Sequence, residues 1–222
     1  MNKDLTEIIF VLDKSGSMGM IREDTIGGYN TFVQDQKELP GECIFTLATF
    51  NTQYDKDLEG ALMESVNELD NATYRPGGGT ALLDAVGKTI NDVVTRHEMQ
   101  GDERPGKVIL VVLTDGEENS SREFTDVKAI AKMIATQEDA GWEIVFLGAD
   151  IDAWADGGRM GFSKMKSMDK FDMKRNLSKM SNYTASYRSA GMAFVDNATL
   201  DKTFDMTDEE LAQQMEELKN KK

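Results

Sequence analysis

The sequence predicts an α/β fold: a mostly parallel central sheet with one antiparallel edge strand and helices on both faces. Three observations predict it. Four runs, IIFVL at 8–12, CIFTLATF at 43–50, KVILVVL at 107–113 and EIVFLGA at 143–149, are apolar almost throughout, which suits strands buried on both sides, since a strand with one wet face alternates. Stretches of helical period separate most of these runs, as in a parallel sheet whose crossovers are helices. The exception is QYDKDLE at 53–59, which follows the second run after only a few polar residues. That connection is too short for a crossover, so the two pair as a hairpin and 53–59 becomes the antiparallel edge.

Taken in order, the first strand ends at Asp13, and Ile21, Thr25, Tyr29, Phe32, Val33 and Gln36 then recur at helical spacing. The hairpin follows. A loop, RPGGGT at 75–80, leads into a second helix marked by Leu82, Val86, Ile90, Val93 and His97, with Thr80 expected as its N-cap. The strand at 107–113 runs into TDGEEN, and a third helix over 125–140 is carried by Val127, Ile130, Ala131 and Ile134. After the strand at 143–149 the pattern weakens. A helix is expected at about 150–160, a strand near MAFVD at 192–196, and a charged helix from Thr207, where Glu210 three residues on completes a capping box. Residues 159–188, with eight basic and two acidic side chains, receive no element; they are expected to fold back on the acidic body. The expected division is a core over 1–150 that carries the functional site, a part over 151–206 that completes or extends it, and a charged helix or tail over 207–222.

A chain of 222 residues, 40% of them apolar, can bury a substantial core. Its 40 acidic against 25 basic residues leave a net charge of −15, which repels phosphate backbones and anionic bilayers and suits cations or basic partners, so neither nucleic acid nor membrane is an expected partner. The excess lies in residues 1–150, with 28 acids against 13 bases. One cysteine, Cys43, excludes an internal disulfide and suits a reducing compartment, so a cytoplasmic location is expected. The run IIFVL is shorter than the roughly 7–15 apolar residues of a signal peptide or the roughly 20 of a membrane span.

In an open parallel sheet, ligands gather outside the carboxyl ends of the strands. Asp13 and Asp115 both stand at such ends, on the two most apolar strands. In DKSGS, the alternation of an extended turn lets Asp13, Ser15 and Ser17 reach one point. Joined by Thr80 from the glycine loop, the set offers three hydroxyls and two carboxylates, all oxygen, which suits a hard cation such as Mg²⁺ rather than zinc or copper. Met18, Gly78, Gly79 and Glu117 are expected to form a rim around it.

The segments DKSGS at 13–17, GGGT at 77–80 and LTDGEEN at 113–119, in this order, resemble the von Willebrand factor A domain and its metal-ion-dependent adhesion site, D-x-S-x-S followed by a distant Thr and a distant Asp. The resemblance covers roughly residues 5–150 and is closest in flavour to stand-alone bacterial or phage members of the tellurite-resistance-associated type. It implies a six-stranded Rossmann-like sheet, a Mg²⁺ or Mn²⁺ held by Asp13, Ser15, Ser17, Thr80 and Asp115, and capture of a partner protein through a Glu or Asp that completes the metal shell. Such proteins often work beside AAA+ ATPases.

Two other readings stand beside this one: a metal-dependent hydrolase of phosphate esters or anhydrides, with Asp150 and Asp152 at the next strand end, and an assembly scaffold. A phosphate loop at Gly87-Lys88-Thr89 is rejected, because that pattern needs glycine where Leu82 stands. His97, the only histidine, falls on the apolar face of its helix and reads as structural, so the chain is expected to be no enzyme.

Overall fold

The computed structural model describes residues 1–190 and 197–221. Six strands, β1 (Asn2–Asp13), β2 (Cys43–Phe50), β3 (Tyr54–Leu62), β4 (Pro105–Thr114), β5 (Glu143–Gly148) and β6 (Lys164–Ser167), form one sheet in the order β3-β2-β1-β4-β5-β6. Among the described strands β3 alone is antiparallel to its neighbour. The chain winds from β1 toward one edge, returns to β4 beside β1, and then winds toward the other. The order therefore reverses between β1 and β4, where an open sheet leaves a crevice at its carboxyl edge.

The helices are α1 (Arg22–Glu38), α2 (Leu82–Gln100), α3 (Val127–Asp139), α4 (Ile151–Arg159), α5 (Met173–Ser189), α6 (Asn197–Asp205) and α7 (Asp208–Lys219). Successive side chains of a strand point to opposite faces. Ile8, Phe10 and Leu12 of β1 thus join Tyr29, Phe32 and Val33 of α1 and Leu177, Met180 and Tyr183 of α5. Ile9 and Val11 join Leu82, Val86 and Ile90 of α2 and Ile130 and Ile134 of α3. This two-sided burial is why the strands read as continuous apolar runs. On the α1 side Phe10 stands edge-on to Tyr29 at 5.9 Å and to Phe32 at 5.4 Å, geometry worth about 1 kcal/mol per pair beyond the area buried.

At the amino end of the sheet Glu7 is fully buried. Its Oε1 accepts from Arg96 Nη2 at 2.5 Å and Thr46 Oγ1 at 2.6 Å, and its Oε2 lies 2.7 Å from His97 Nε2. Burial pushes the Glu7 carboxyl up, but the hydrogen bonds from His97, Arg96 and Thr46 outweigh it and hold the group below its ordinary value. His97 is thus a partner of a buried carboxylate, about 20 Å along β1 from Asp13 at the usual rise per residue.

The basic stretch holds two elements that the sequence pattern hid. β6 is only four residues, KMKS, and its lysines mask the strand signal. Lys164 Nζ reaches both Glu143 carboxylate oxygens at 2.6 Å, and Lys166 pairs with Asp201 at 2.5 Å. In α5, Met173, Leu177, Met180 and Tyr183 are buried between lysines and arginines that break the apolar pattern. Arg188 is itself buried and donates to the Gln36 carbonyl at 2.6 Å. The strand expected at 192–196 lies outside the described residues. In α7 the capping box is present: Thr207 Oγ1 accepts from Glu210 N and Glu210 Oε2 accepts from Thr207 N, at 3.3 and 2.8 Å. No helix among the described residues is long and apolar enough to cross a membrane.

Candidate metal centre

Asp13 is the last residue of β1, and Asp115 follows Thr114, the last of β4. The strands are parallel neighbours with Leu12 opposite Leu113, so both carboxylates are delivered to the same edge of the crevice. Asp13 is fully buried; its Oδ1 accepts from Ser15 N and its Oδ2 from Thr114 Oγ1, both at 2.6 Å. Burial pushes its carboxyl up to about 6, against the pull of these hydrogen bonds, and the nearby Asp115 adds to the rise. At Asp115, Oδ1 accepts from Ser17 Oγ at 2.5 Å. The other oxygen, Oδ2, is buried and meets no hydrogen-bond partner among the described residues. Burial raises this carboxyl too. Two desolvated carboxylates, one with an unanswered oxygen, form a place where a positive charge is favoured.

The hydroxyls converge on the same place. Ser15 Oγ and Ser17 Oγ are 3.0 Å apart. A Cβ on Gly116 would lie 2.7 Å from Thr80 Oγ1, 3.3 Å from Ser17 Oγ and 3.5 Å from Ser15 Oγ. Three hydroxyls therefore surround a spot that stays open because residue 116 has no side chain. The five side chains singled out from the sequence are brought together, and their donors are all oxygen. Among the described residues no group of three or more His, Cys, Asp or Glu side chains is placed to hold a metal; this set has only two carboxylates, and hydroxyls supply the rest. A hard divalent cation fits it.

The von Willebrand factor type A domain pattern matches residues 7–193. The chain belongs to the von Willebrand factor type A domain family. Solved structures agree in fold. The type A domain of the Porphyromonas gingivalis type V pilus tip protein Mfa5 superposes with a TM-score of 0.61 at 9% identity, covering 89% of this chain and 100% of that one. Manganese-loaded Plasmodium vivax TRAP protein gives 0.52 at 15% identity, with 81% and 74% covered. Proximal thread matrix protein 1 of the mussel byssus gives 0.52 at 13% identity over 81% of this chain, which spans only 46% of that protein. No curated protein sequence matches this chain. Domains of this type often bind a divalent metal and take part in protein interactions.

Around the crevice of this type A domain the structure corrects two expectations. Thr80 does not cap α2, because Ala81 occupies that position. Thr80 is instead held by its backbone, its N–H donating to Asn119 Oδ1 at 2.9 Å and its carbonyl accepting from Asn119 N and Ser120 N at 2.9 and 3.1 Å. The hydroxyl faces Gly116. Met18 is not on the rim. The short 3-10 helix Gly16–Ile21, about two turns long, turns Met18 and Ile21 inward at a spacing of three; Met18 is fully buried in the core, and Met20, 73% exposed, takes the outer position. Gly78 and Glu117 are exposed at the rim, with Gly79 partly so. Gly78 has φ 82°, and a Cβ there would come within 2.7 Å of Thr52 Oγ1, so this turn of the loop requires glycine.

Four supporting roles, of Tyr74, Glu118, Ser121 and Asp84, escaped the sequence reading. Tyr74, fully buried, donates its hydroxyl to the Asp13 carbonyl at 2.5 Å and fixes the strand end. Glu118 answers the amino terminus of α2, accepting from Leu83 N at 2.8 Å, and its neighbour Ser121 accepts from Asp84 N at 3.0 Å. Asp84 returns the favour to the loop after β4, accepting from the N–H groups of Arg122, Glu123 and Phe124 at 2.9, 3.0 and 2.7 Å. These are long-range pairings, and no local spacing announces them.

Proposed function

We propose that this type A domain is a non-enzymatic, metal-dependent protein-binding module, in which Asp13, Ser15, Ser17, Thr80 and Asp115 form a metal-ion-dependent adhesion site for Mg²⁺ or Mn²⁺ and a Glu or Asp of a partner protein completes the shell. The observation that carries this reading is the buried Oδ2 of Asp115, without a hydrogen-bond partner among the described residues, beside three converging hydroxyls. When bound, the ion supplies an open position for an anionic oxygen. The chain's own residues do the rest. Ser15, Ser17, Thr80 and Asp115 would hold the ion through their side-chain oxygens. Asp13, with both oxygens already engaged, orients the Ser15 backbone and adds negative charge to the site. The manganese-loaded Plasmodium vivax protein is a precedent for a metal on this fold.

A hydrolase would need a positioned base, and the surroundings offer little: His97 is committed to Glu7 at the opposite end, and Asp150 lies 3.8 Å from Lys170. With a net charge of −15, the body favours a partner whose carboxylate stands on an otherwise basic or neutral surface; a separately encoded component such as an AAA+ ATPase fits this description. The acidic, single-cysteine chain is assigned to a reducing compartment such as the cytoplasm, and its motifs to the stand-alone bacterial or phage type. The test is calorimetric titration of Mg²⁺ and Mn²⁺ into wild type and Asp13→Ala, with and without acetate as a carboxylate mimic. Binding confined to wild type and tightened by acetate supports the site; wild type that takes up neither ion overturns it.

A further inference from the structure

Two strands from the candidate metal centre, the same edge of the sheet carries a second concavity. A cavity of about 280 Å³, lined by Ala149, Asp150, Ser167, Asp169, Lys170 and Phe171, opens where β5 and β6 end. Its wall is built firmly. Met168 N donates to the Gly148 carbonyl at 2.9 Å, Asp169 Oδ1 accepts from Phe171 N at 2.9 Å, and Asn176 Nδ2 donates to the Asp169 carbonyl at 3.0 Å. On this fixed turn Phe171 is 69% exposed, with Lys170 Nζ 5.7 Å from its ring centre. An aromatic ring displayed to solvent on a rigid turn gains from being covered, and no element among those described covers it.

The charges relate this concavity to the metal centre. Lys170 lies 3.8 Å from Asp150 and close enough to Asp115 for its charge to be felt there. A partner carboxylate arriving to complete the ion's shell would pass the Lys170 cation on a surface otherwise edged by Asp150, Asp169 and Glu117. Adjacent strands lie about 4.8 Å apart, so the step from the β1–β4 crevice to the β5–β6 cavity is roughly 10 Å, and an extended peptide covers that in about three residues.

We propose that the β5–β6 cavity is the second contact of the partner, a reading that rests on the metal-dependent capture above: Lys170 steers the captured carboxylate, and Phe171 receives an apolar or aromatic side chain two or three residues away on the same extended, otherwise basic segment. Specificity then comes from Phe171 and Lys170, and metal dependence from the five oxygen donors.

The probes are labelled decapeptides of Gly, Ser and Lys with one Glu at a fixed position and one Phe moved stepwise to either side, measured by fluorescence anisotropy in Mg²⁺, in Mn²⁺ and in EDTA. Wild type is expected to prefer peptides with Phe two or three residues from Glu by about tenfold, only with metal present. Phe171→Ala removes that preference and leaves Mg²⁺ affinity by calorimetry unchanged; Lys170→Ala weakens every Glu peptide. If metal and Glu peptides bind but Phe position, Phe171→Ala and Lys170→Ala make no difference, this inference fails and the metal-dependent capture stands. If wild type binds no metal, or binds metal and no peptide at millimolar concentration, the inference is overturned as well.

Discussion

Ser17 and Asp115, 98 residues apart in sequence, are joined by a hydrogen bond of 2.5 Å, and the other oxygen of the same carboxylate is buried without a partner among the described residues. One oxygen is held in place while the second remains available. An unanswered buried acceptor costs about 1–3 kcal/mol, a cost that the proposed cation would relieve. Asp115→Asn should therefore fold with stability equal to or above metal-free wild type, while the rise in Tm produced by Mg²⁺ disappears. Differential scanning fluorimetry with and without EDTA reads both effects; a strongly destabilised Asp115→Asn that still responds to Mg²⁺ would contradict the assignment.

Gly116→Ala tests the same spot without altering charge. Gly116 has no positive φ, so alanine suits the backbone, but its methyl would stand 2.7 Å from Thr80 Oγ1. The expected outcome is a folded protein with near wild-type far-UV circular dichroism and at least a tenfold loss of Mg²⁺ affinity by calorimetry.

The pH dependence follows from Asp13. Its folded carboxyl, pushed by burial from 3.8 to about 6, prefers the protonated form more than the unfolded chain does. The stability this gives is fully present below pH 3.8 and lost as pH rises through about 6, roughly 3 kcal/mol at about 1.4 kcal/mol per unit. A cation needs the ionised form, so the shift reverses on loading. The increase in Tm produced by Mg²⁺ should grow between pH 5 and 7, and Asp13→Asn should flatten that growth. Equal Mg²⁺ stabilisation at pH 5 and pH 7 in wild type would remove Asp13 from the site.

Much of this arrangement was legible in the residues, and the reason is physical. β1, β2, β4 and β5 are buried on both faces, so their sequences are apolar throughout, and DKSGS reaches its target from one short segment. What stayed hidden is held by partners distant in sequence. Lys164 and Lys166 disguise β6 because their charges are answered by Glu143 and Asp201. Glu118 and Asp84 look like ordinary loop and helix residues until the loop after β4 folds against α2. Met18 resembles a rim residue because the 3-10 helix that buries it spans only six residues, too few for its period of three to stand out. In Tyr74 a loop aromatic serves a strand end, and nothing in NATYRPG indicates which carbonyl it will meet.

Tyr74→Phe isolates that support. The ring stays in its buried place while the hydroxyl donated to the Asp13 carbonyl is lost. The loss should cost about 1–2 kcal/mol in urea unfolding and weaken Mg²⁺ several-fold, because the segment from Asp13 to Ser17 is less well held. Unchanged Mg²⁺ affinity would mean that the strand end is fixed by the sheet alone.

His97→Ala separates stability from the site. His97 answers one oxygen of the fully exposure-free Glu7, and Arg96 and Thr46 answer the other. Deleting one of the hydrogen-bond partners of a buried carboxylate costs about 1.5–3 kcal/mol, with Arg96 and Thr46 still answering the other oxygen. The network lies near the middle of β1, with the apolar run Ile8–Leu12 between it and Asp13, and none of the five proposed site residues touches it. Urea unfolding should therefore show a large drop in midpoint, while Mg²⁺ affinity under conditions where the variant is folded stays within about twofold of wild type. A parallel fall in Mg²⁺ affinity would instead connect the middle of the central strand with its carboxyl end, and His97 would have to be treated as part of the functional machinery rather than as a partner of the buried Glu7 carboxylate.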